Sequence, residues 1–431
     1  MNPEDIDDLP SRPFKGFDWS EHFNVQKLIV ELFGEYEAWY RGSDDNKRVT
    51  LPIVRRRHLT HIVLEAYRTH RAMPGLLLGI HRGNYYYNQA GDRYHPNHLS
   101  FRIFNKVMDF LIDAEFMEMI SEGIWHPDPN KRRTGRYRAT DRLINLCHEH
   151  DVNPYMITRY RTYEIIVLRA KRKGKQRQGD LINYKNTQFT KRARADLEKI
   201  NEFIAGHNIN LDITDEQEEA LRDRMQNRDD PARDNYLDFT KTHLRRIFNN
   251  GSFEQGGRFY GGWWQQIPGE YRHFITINGK RTVGLDYSGM HFAIMYADLG
   301  MSTPMEDSYA LESYSSELRS DIKKAFHIII NCSNRNHAIK TIDGHIRDGR
   351  LSEKLGDGET LLGAFEETHP LIKDKIASGE GIKGQFTDSQ IAERILLKGI
   401  DIDLCILPIH DGFITTAGDE FVLERLMNEA F

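Results

Sequence analysis

The sequence predicts an α+β protein, with a mixed N-terminal segment, a helical middle region and a C-terminal domain built on an antiparallel sheet. Three observations carry that expectation. Residues 50–152 read as helix, strand, basic loop, strand, helix, and residues 187–248 hold three helical patterns in succession. Residues 253–431 contain two hairpin signals, at Asn278-Gly279 and at His410-Asp411-Gly412. A chain of 431 residues exceeds one ordinary domain, and a 39% hydrophobic content supplies material for several cores. The expected divisions are an N-terminal extension over 1–49, a module over 50–152, a basic and helical region over 153–252, and a last domain over 253–431.

Several function classes fall away on composition. The chain has no run of about 18 apolar residues, so no spanning helix and no membrane partner is expected. Its acidic, proline-bearing start lacks the apolar core of a signal peptide. Cys147, Cys332 and Cys405 are far apart and odd in number. They speak for a reducing, cytoplasmic setting and against disulfides or a thiolate zinc site.

The elements follow in order. FNVQKLIVELFGEYEAWYR reads as an amphipathic helix, and HLTHIVLEAYRTH as a second. Ser100 then caps FRIFNKVMDFLIDAEF, whose Phe101, Phe104, Val107, Met108, Leu111 and Ile112 recur at helical spacing. A short strand EFMEMI, the loop HPDPNKRRTG, a strand RYRAT and the helix DRLINLCHEH complete the unit, with Thr140 or Asp141 as the cap. This order resembles a winged helix-turn-helix module of the MarR-like kind. In such a module one helix enters the major groove of DNA, and wing cations, here Lys131, Arg132, Arg133, Arg136 and Arg138, neutralise phosphates. The same order also describes a small α+β packing unit with a solvated hairpin.

Residues 131–180 carry 14 cations against five anions. Their excess of nine leaves −14 on the rest of a chain whose total is −5, an asymmetry that suits a grip on polyanions. Within this stretch AKRKGKQRQGD reads as an exposed hairpin tip or linker. Three helices are then expected, FTKRARADLEKINEFIAGHN, TDEQEEALRDRMQ (opened by Thr214 with Gln217 at a capping-box offset) and DFTKTHLRRIFNN.

The chemistry lies in residues 253–431. HFITINGKRTVGLDYSG runs a hairpin strand into Asp286, and DLCILPIHDGFITTAG puts Asp411 at a tight turn between two apolar runs. Two strand-end carboxylates are rigidly placed oxygen donors, the kind Mg2+ prefers. Such a pair can hold two ions about 3.5–4 Å apart, activating an attacking hydroxyl and stabilising a leaving oxygen.

In this region GRFYGGWWQQIP with Arg272, then LDYSGMHFAIMYADLG, LRSDIKKAFHIII and PIHDGFI follow one another. That series resembles the ordered motifs of the A-family DNA polymerases, which are related to the single-subunit phage-type RNA polymerases. The resemblance covers under half of the chain. It implies a polymerase palm with an antiparallel sheet, short helical fingers over about 331–400, and a thumb-like role for 153–252. Asp286 and Asp411 would be the metal-binding carboxylates, with the Tyr287 carbonyl as a further ligand. Arg319 and Lys323, one helical turn apart, would meet the incoming triphosphate. Arg258, Gln265, Gln266 and Arg272 would lie along the primer–template, and His410 would touch the primer end. Taken singly, Asp411-Gly412 reads as a turn, Arg319 and Lys323 as a solvated helix face, and His410 as a packed histidine.

The pattern also departs from the family. His291 stands where the DNA enzymes carry the glutamate that crowds a ribose 2′-hydroxyl. His327 and Asn331 replace an aromatic and a tyrosine on the fingers helix. SGMHFAIM is similar to the Ser-Gly-x-x-His-Phe run of phage-type RNA polymerases. No Asp-x-Glu strand precedes the palm, so no proofreading exonuclease is expected. The expected activity is a template-dependent DNA polymerase for replication, using two Mg2+ ions (replaceable by Mn2+), nucleoside triphosphates and DNA. The alternatives are an RNA-making primase or small RNA polymerase, and an inert DNA-binding initiator or regulator.

Overall fold

A computed structural model describes residues 10–42, 51–87, 91–124, 126, 128, 132–174, 176–227 and 236–431. Lys131 and Lys175 lie outside these residues. The chain is a mixed α and β protein, in keeping with the α+β expectation. It divides into two compact units, Met1–Glu164 with Asp215–Lys241, and Ile165–Thr214 with Thr242–Phe431. The segment expected as one helical region therefore contributes to both.

The first unit contains β1 (Ser11–Pro13), β2 (Asp18–Trp19), α1 (Phe23–Arg41), α2 (Pro52–Ala72), β3 (Leu77–Ile80) and the one-turn α3 (Asn84–Tyr87). It continues through α4 (Phe101–Asp113), β4 (Met117–Ser121), β5 (Gly135–Ala139), α5 (Asp141–Glu149) and β6 (Thr158–Arg159). The Asp215–Gln226 helix returns to it. β1, β3, β5 and β4 form a sheet in that order, with β1 parallel to β3 and the remaining pairs antiparallel.

α4 buries the stripe Phe104, Val107, Met108 and Leu111. It ends where Glu115 takes a positive φ of 57°. Thr140 occupies the N-cap of α5, but its hydroxyl donates instead to the Glu115 carbonyl at 2.6 Å. Beside the apolar core runs a buried ionic network. Asp18 pairs with both Arg68, at 2.9 Å, and Arg159. Arg12 pairs with Asp238 at 3.2 Å.

The second unit contains β7 (Ile166–Leu168), α6 (Gln188–Ala205), β8 (Ile209–Leu211), β9 (Arg245–Phe248), β10 (Gly256–Tyr260), β11 (Ile275–Ile277) and β12 (Lys280–Asp286). α7 (Met290–Ala297), α8 (Arg319–Ile329), α9 (Arg335–Arg347), α10 (Gly358–Thr368), α11 (Gly381–Asp401), β13 (Leu407–Ile409), β14 (Gly412–Thr416) and α12 (Glu420–Ala430) complete it. Both expected hairpins form. They join one antiparallel sheet in the order β13-β14-β12-β11-β8, whose fifth strand the sequence reading missed. Asn278 takes the positive φ of 51° that an Asn-Gly turn requires.

A second sheet, β10-β9-β7, corrects the helix expected over DFTKTHLRRIFNN. Residues 245–248 form a strand in which Arg246 and Phe248 face inward, and Arg246 is wholly buried. The loop 170–180 leaves β7 and returns through an Arg169–Leu181 bridge, a hairpin tip as expected. α7 to α10 share one apolar core, centred on the Phe292–Phe326 ring stack at 3.9 Å.

Candidate active site

Topology brings the two carboxylates together. β12 lies against β14, and Asp286 is the β12 residue that pairs with Gly412. Asp411 precedes Gly412 in the turn from β13, and its carbonyl accepts from the Tyr287 N–H at 3.4 Å. Glycine at 412 leaves room for the Asp286 carboxylate in its present place, since a Cβ there would lie 1.6 Å from Asp286 Oδ1. Asp286 is exposed and Asp411 half-buried, so both open outward from the end of the sheet.

The turn is held from behind. Trp264 Nε1 and Gln265 Nε2 both donate to the Pro408 carbonyl, at 3.1 and 3.0 Å. Gln265 also donates to Phe259 and accepts from Gly261. Gln265 is thus buried and spent on positioning β13, not presented along a nucleic-acid track. His410 carries a positive φ of 58° and sets its ring edge-on to Tyr260 at 5.7 Å.

Cations surround the carboxylates. Desolvation by the neighbouring chain, and then Asp411, raise the Asp286 carboxyl above its ordinary range, while Lys323 and Arg272 pull it down. Lys323 Nζ lies 5.9 Å and the Arg319 guanidinium 5.6 Å from the Tyr309 ring centre. Burial first, with Asp411 adding to it, pushes the Tyr309 phenol up to about 12. Arg319 is held by both oxygens of Asp307, in an exposed pair.

His291 is buried against Gly384 and stands 5.9 Å from His327. Burial, then Arg258 and His327, push its imidazole down to about 4, leaving it neutral at pH 7. His327 is lowered chiefly by burial, against the pull of Asp411. Asn331 lies one turn beyond His327, exposed, with its amide on the His327 carbonyl at 2.7 Å. The Tyr287 phenol points away, donating to Met427 at 2.5 Å, so only its backbone belongs to the pair. Gln266 closes the Trp263–Gln265 turn through its N–H, and Arg272 sits in the Gly269–Phe274 turn.

The donor set suits Mg2+. Among the described residues no group of three or more His, Cys, Asp or Glu side chains is set to hold a metal ion. The site offers two hard carboxylates at one sheet end, and Mg2+ characteristically takes one or two carboxylates and completes its shell with water and substrate phosphate. Asp286 and Asp411 would hold it.

Sequence reasoning missed Asp388, which clasps Arg258 on β10. It also missed Tyr309, Asp307 and the Arg246–Glu393 pair at 2.5 Å. The available signal was Asp388, Ser389 and Glu393 on the same helix as the apolar Ile391, Ala392, Ile395 and Leu396.

In the first unit, the expected wing is the β4–β5 hairpin. Arg136 sits on β5, and Arg133 pairs its backbone with Ile124. Arg132 Nε donates to the His126 carbonyl at 2.8 Å. Arg138 is not an open cation, because Glu118 across the hairpin meets it at 2.6 Å. No protein-family model, no curated protein and no solved structure matches this chain.

Proposed function

We propose that the chain is a nucleic-acid polymerase that extends a primer 3′-hydroxyl with nucleoside triphosphates, its second unit being a palm and fingers domain. The observation that carries this reading is the convergence of Asp286 and Asp411 at one sheet end, within electrostatic reach of Lys323, Arg272 and Arg258. Phosphoryl transfer asks for this combination, because the protein's share of the chemistry is positioning and charge neutralisation.

The reaction joins the 3′-oxygen to the α-phosphorus and breaks the bond to the β-phosphate oxygen, releasing pyrophosphate. Bound Mg2+ (or Mn2+) would lower the hydroxyl's pKa and offset charge on the departing phosphates. Asp286 and Asp411 orient that centre. Lys323 meets the triphosphate from α8. Arg319 joins it by exchanging Asp307 for phosphate, a cheap exchange since exposed ion pairs are worth about 0–1 kcal/mol. His410, fixed by Tyr260, faces the primer end.

The first unit is proposed as a winged-helix DNA-binding module with its hairpin cations on phosphate. Binding that uses them weakens steeply as salt rises. RNA synthesis is a second reading. Its support is His291, a buried neutral ring at the position where the similar DNA enzymes carry an acid.

Primer extension in Mg2+ with dNTPs and rNTPs tests the reading. The wild type extends with one of the two sugars, and Asp286→Ala and Asp411→Ala each lose about 10³-fold or more. Equal extension by all three proteins eliminates it.

A further inference from the structure

Two carboxylates, Asp388 and Asp411, act electrostatically on Arg258, and it touches Asp388. Its Nε donates to Asp388 Oδ2 at 2.9 Å and Oδ1 at 3.2 Å, and its Nη2 donates to Oδ2 as well. The Asp388 side chain is 1% exposed, and Arg258 lies at the rim at 14%. Asp411 interacts electrostatically with both, yet among the described residues no hydrogen bond joins it to Arg258.

The frame around this pair leaves little freedom. Arg246 on β9 binds Glu393 and Ser389 of α11 together with the Gly257 carbonyl of β10. A Cβ at Gly257 would sit 2.8 Å from Ser389 Oγ, so α11 rests directly on the β10 backbone. Asp388 is therefore fixed, and Arg258 is the longer and more mobile partner.

A guanidinium and a divalent cation compete for the same carboxylate lone pairs. We infer that Asp388 is a positioning residue that holds Arg258 away from Asp411, keeping the carboxylate pair open to a divalent cation. The inference rests on the metal-dependent reading above. Without the Asp388 charge, the remaining carboxylate that acts on Arg258 is Asp411, and its capture would close half of the metal site.

Mn2+ binding to the full chain, followed by electron spin resonance, separates this role from simple charge. Asp388→Asn lowers Mn2+ affinity about tenfold, and the loss vanishes in an Arg258→Ala background, a coupling that a double-mutant cycle resolves. Asp388→Glu, which keeps the charge, stays near wild type. An equal loss with and without Arg258 shows a mere field effect and overturns the inference, as does no loss at all. Wild-type protein that binds no Mn2+, or binds it regardless of Asp411→Asn, overturns the metal reading itself and the inference with it. Where Asp388→Asn does not fold, Asp388→Ser carries the same cycle, with thermal melting as the check.

Discussion

Gly412 shows how much of the site rests on one absent side chain. Its backbone pairs with Asp286, and a methyl group there would occupy the space of the Asp286 carboxylate. Gly412→Ala is expected to displace that carboxylate while leaving the β12–β14 ladder intact. A misplacement of about 1 Å can cost 10²-fold in rate, so incorporation should fall by that order while circular dichroism stays unchanged. Unchanged incorporation would show that Asp286 does not work from this position. At this scale the sequence was informative for Asp286 and Asp411, which stand at the ends of two hairpin signals, whereas Lys323 stood out only through the resemblance to the A-family polymerases. Asp388 was legible only as a polar residue on a largely apolar helix, since its partner lies 130 positions away.

Among the elements, α11 does the joining. It presents Asp388 to β10 and takes the buried Arg246 of β9 on Ser389 and Glu393. Removing one member of a buried ion pair leaves the other charged and unpaired, at a cost of about 3–5 kcal/mol. Arg246→Met should therefore lower the urea midpoint sharply, whereas Arg246→Met with Glu393→Leu should recover much of it. Equal losses in the two variants would contradict the pairing. The same arginine explains the misread helix over 238–250. The run Leu-Arg-Arg-Ile-Phe suggests a helix with an exposed basic face, and no local pattern announces that Arg246 points inward. The hairpins were legible because Asn-Gly and Asp-Gly turns between apolar runs are local signals. The β10-β9-β7 sheet was not, because β7 pairs with β9 across 80 positions, as with Ile166 and Arg246.

For the molecule as a whole, the two-unit division was hidden in the sequence for a similar reason. Residues 215–241 return to the first unit, where Asp238 meets Arg12 from 226 positions away. That unit also holds buried histidines. His58 accepts the Ser100 N–H on Nε2 at 2.8 Å and has Nδ1 2.8 Å from the Val54 carbonyl, a bonding pattern only the neutral ring can make. Burial pushes His58 and His98 down to about 4 and His61 well below its ordinary value. An unfolded imidazole takes up its proton near pH 6.5, before the folded one can. Stability is thus complete above pH 6.5 and is lost as pH falls towards 4, by about 2 kcal/mol per imidazole at pH 5. The urea midpoint should be clearly lower at pH 5 than at pH 7.5, and His58→Gln should narrow the difference. A difference unaffected by that substitution would place the acid sensitivity elsewhere.

Whether residues 286 and 411 share one divalent-cation site can be read out by localised cleavage. Fe2+ replaces Mg2+, and ascorbate with peroxide generates hydroxyl radicals at the bound ion, which cut the nearby backbone. Two cuts are expected in the wild-type chain, one at the end of β12 and one in the β13–β14 turn. Both should be suppressed by excess Mg2+ and absent from Asp286→Ala and Asp411→Ala. A cut at only one of these places, or a pattern indifferent to both substitutions, would contradict a shared site.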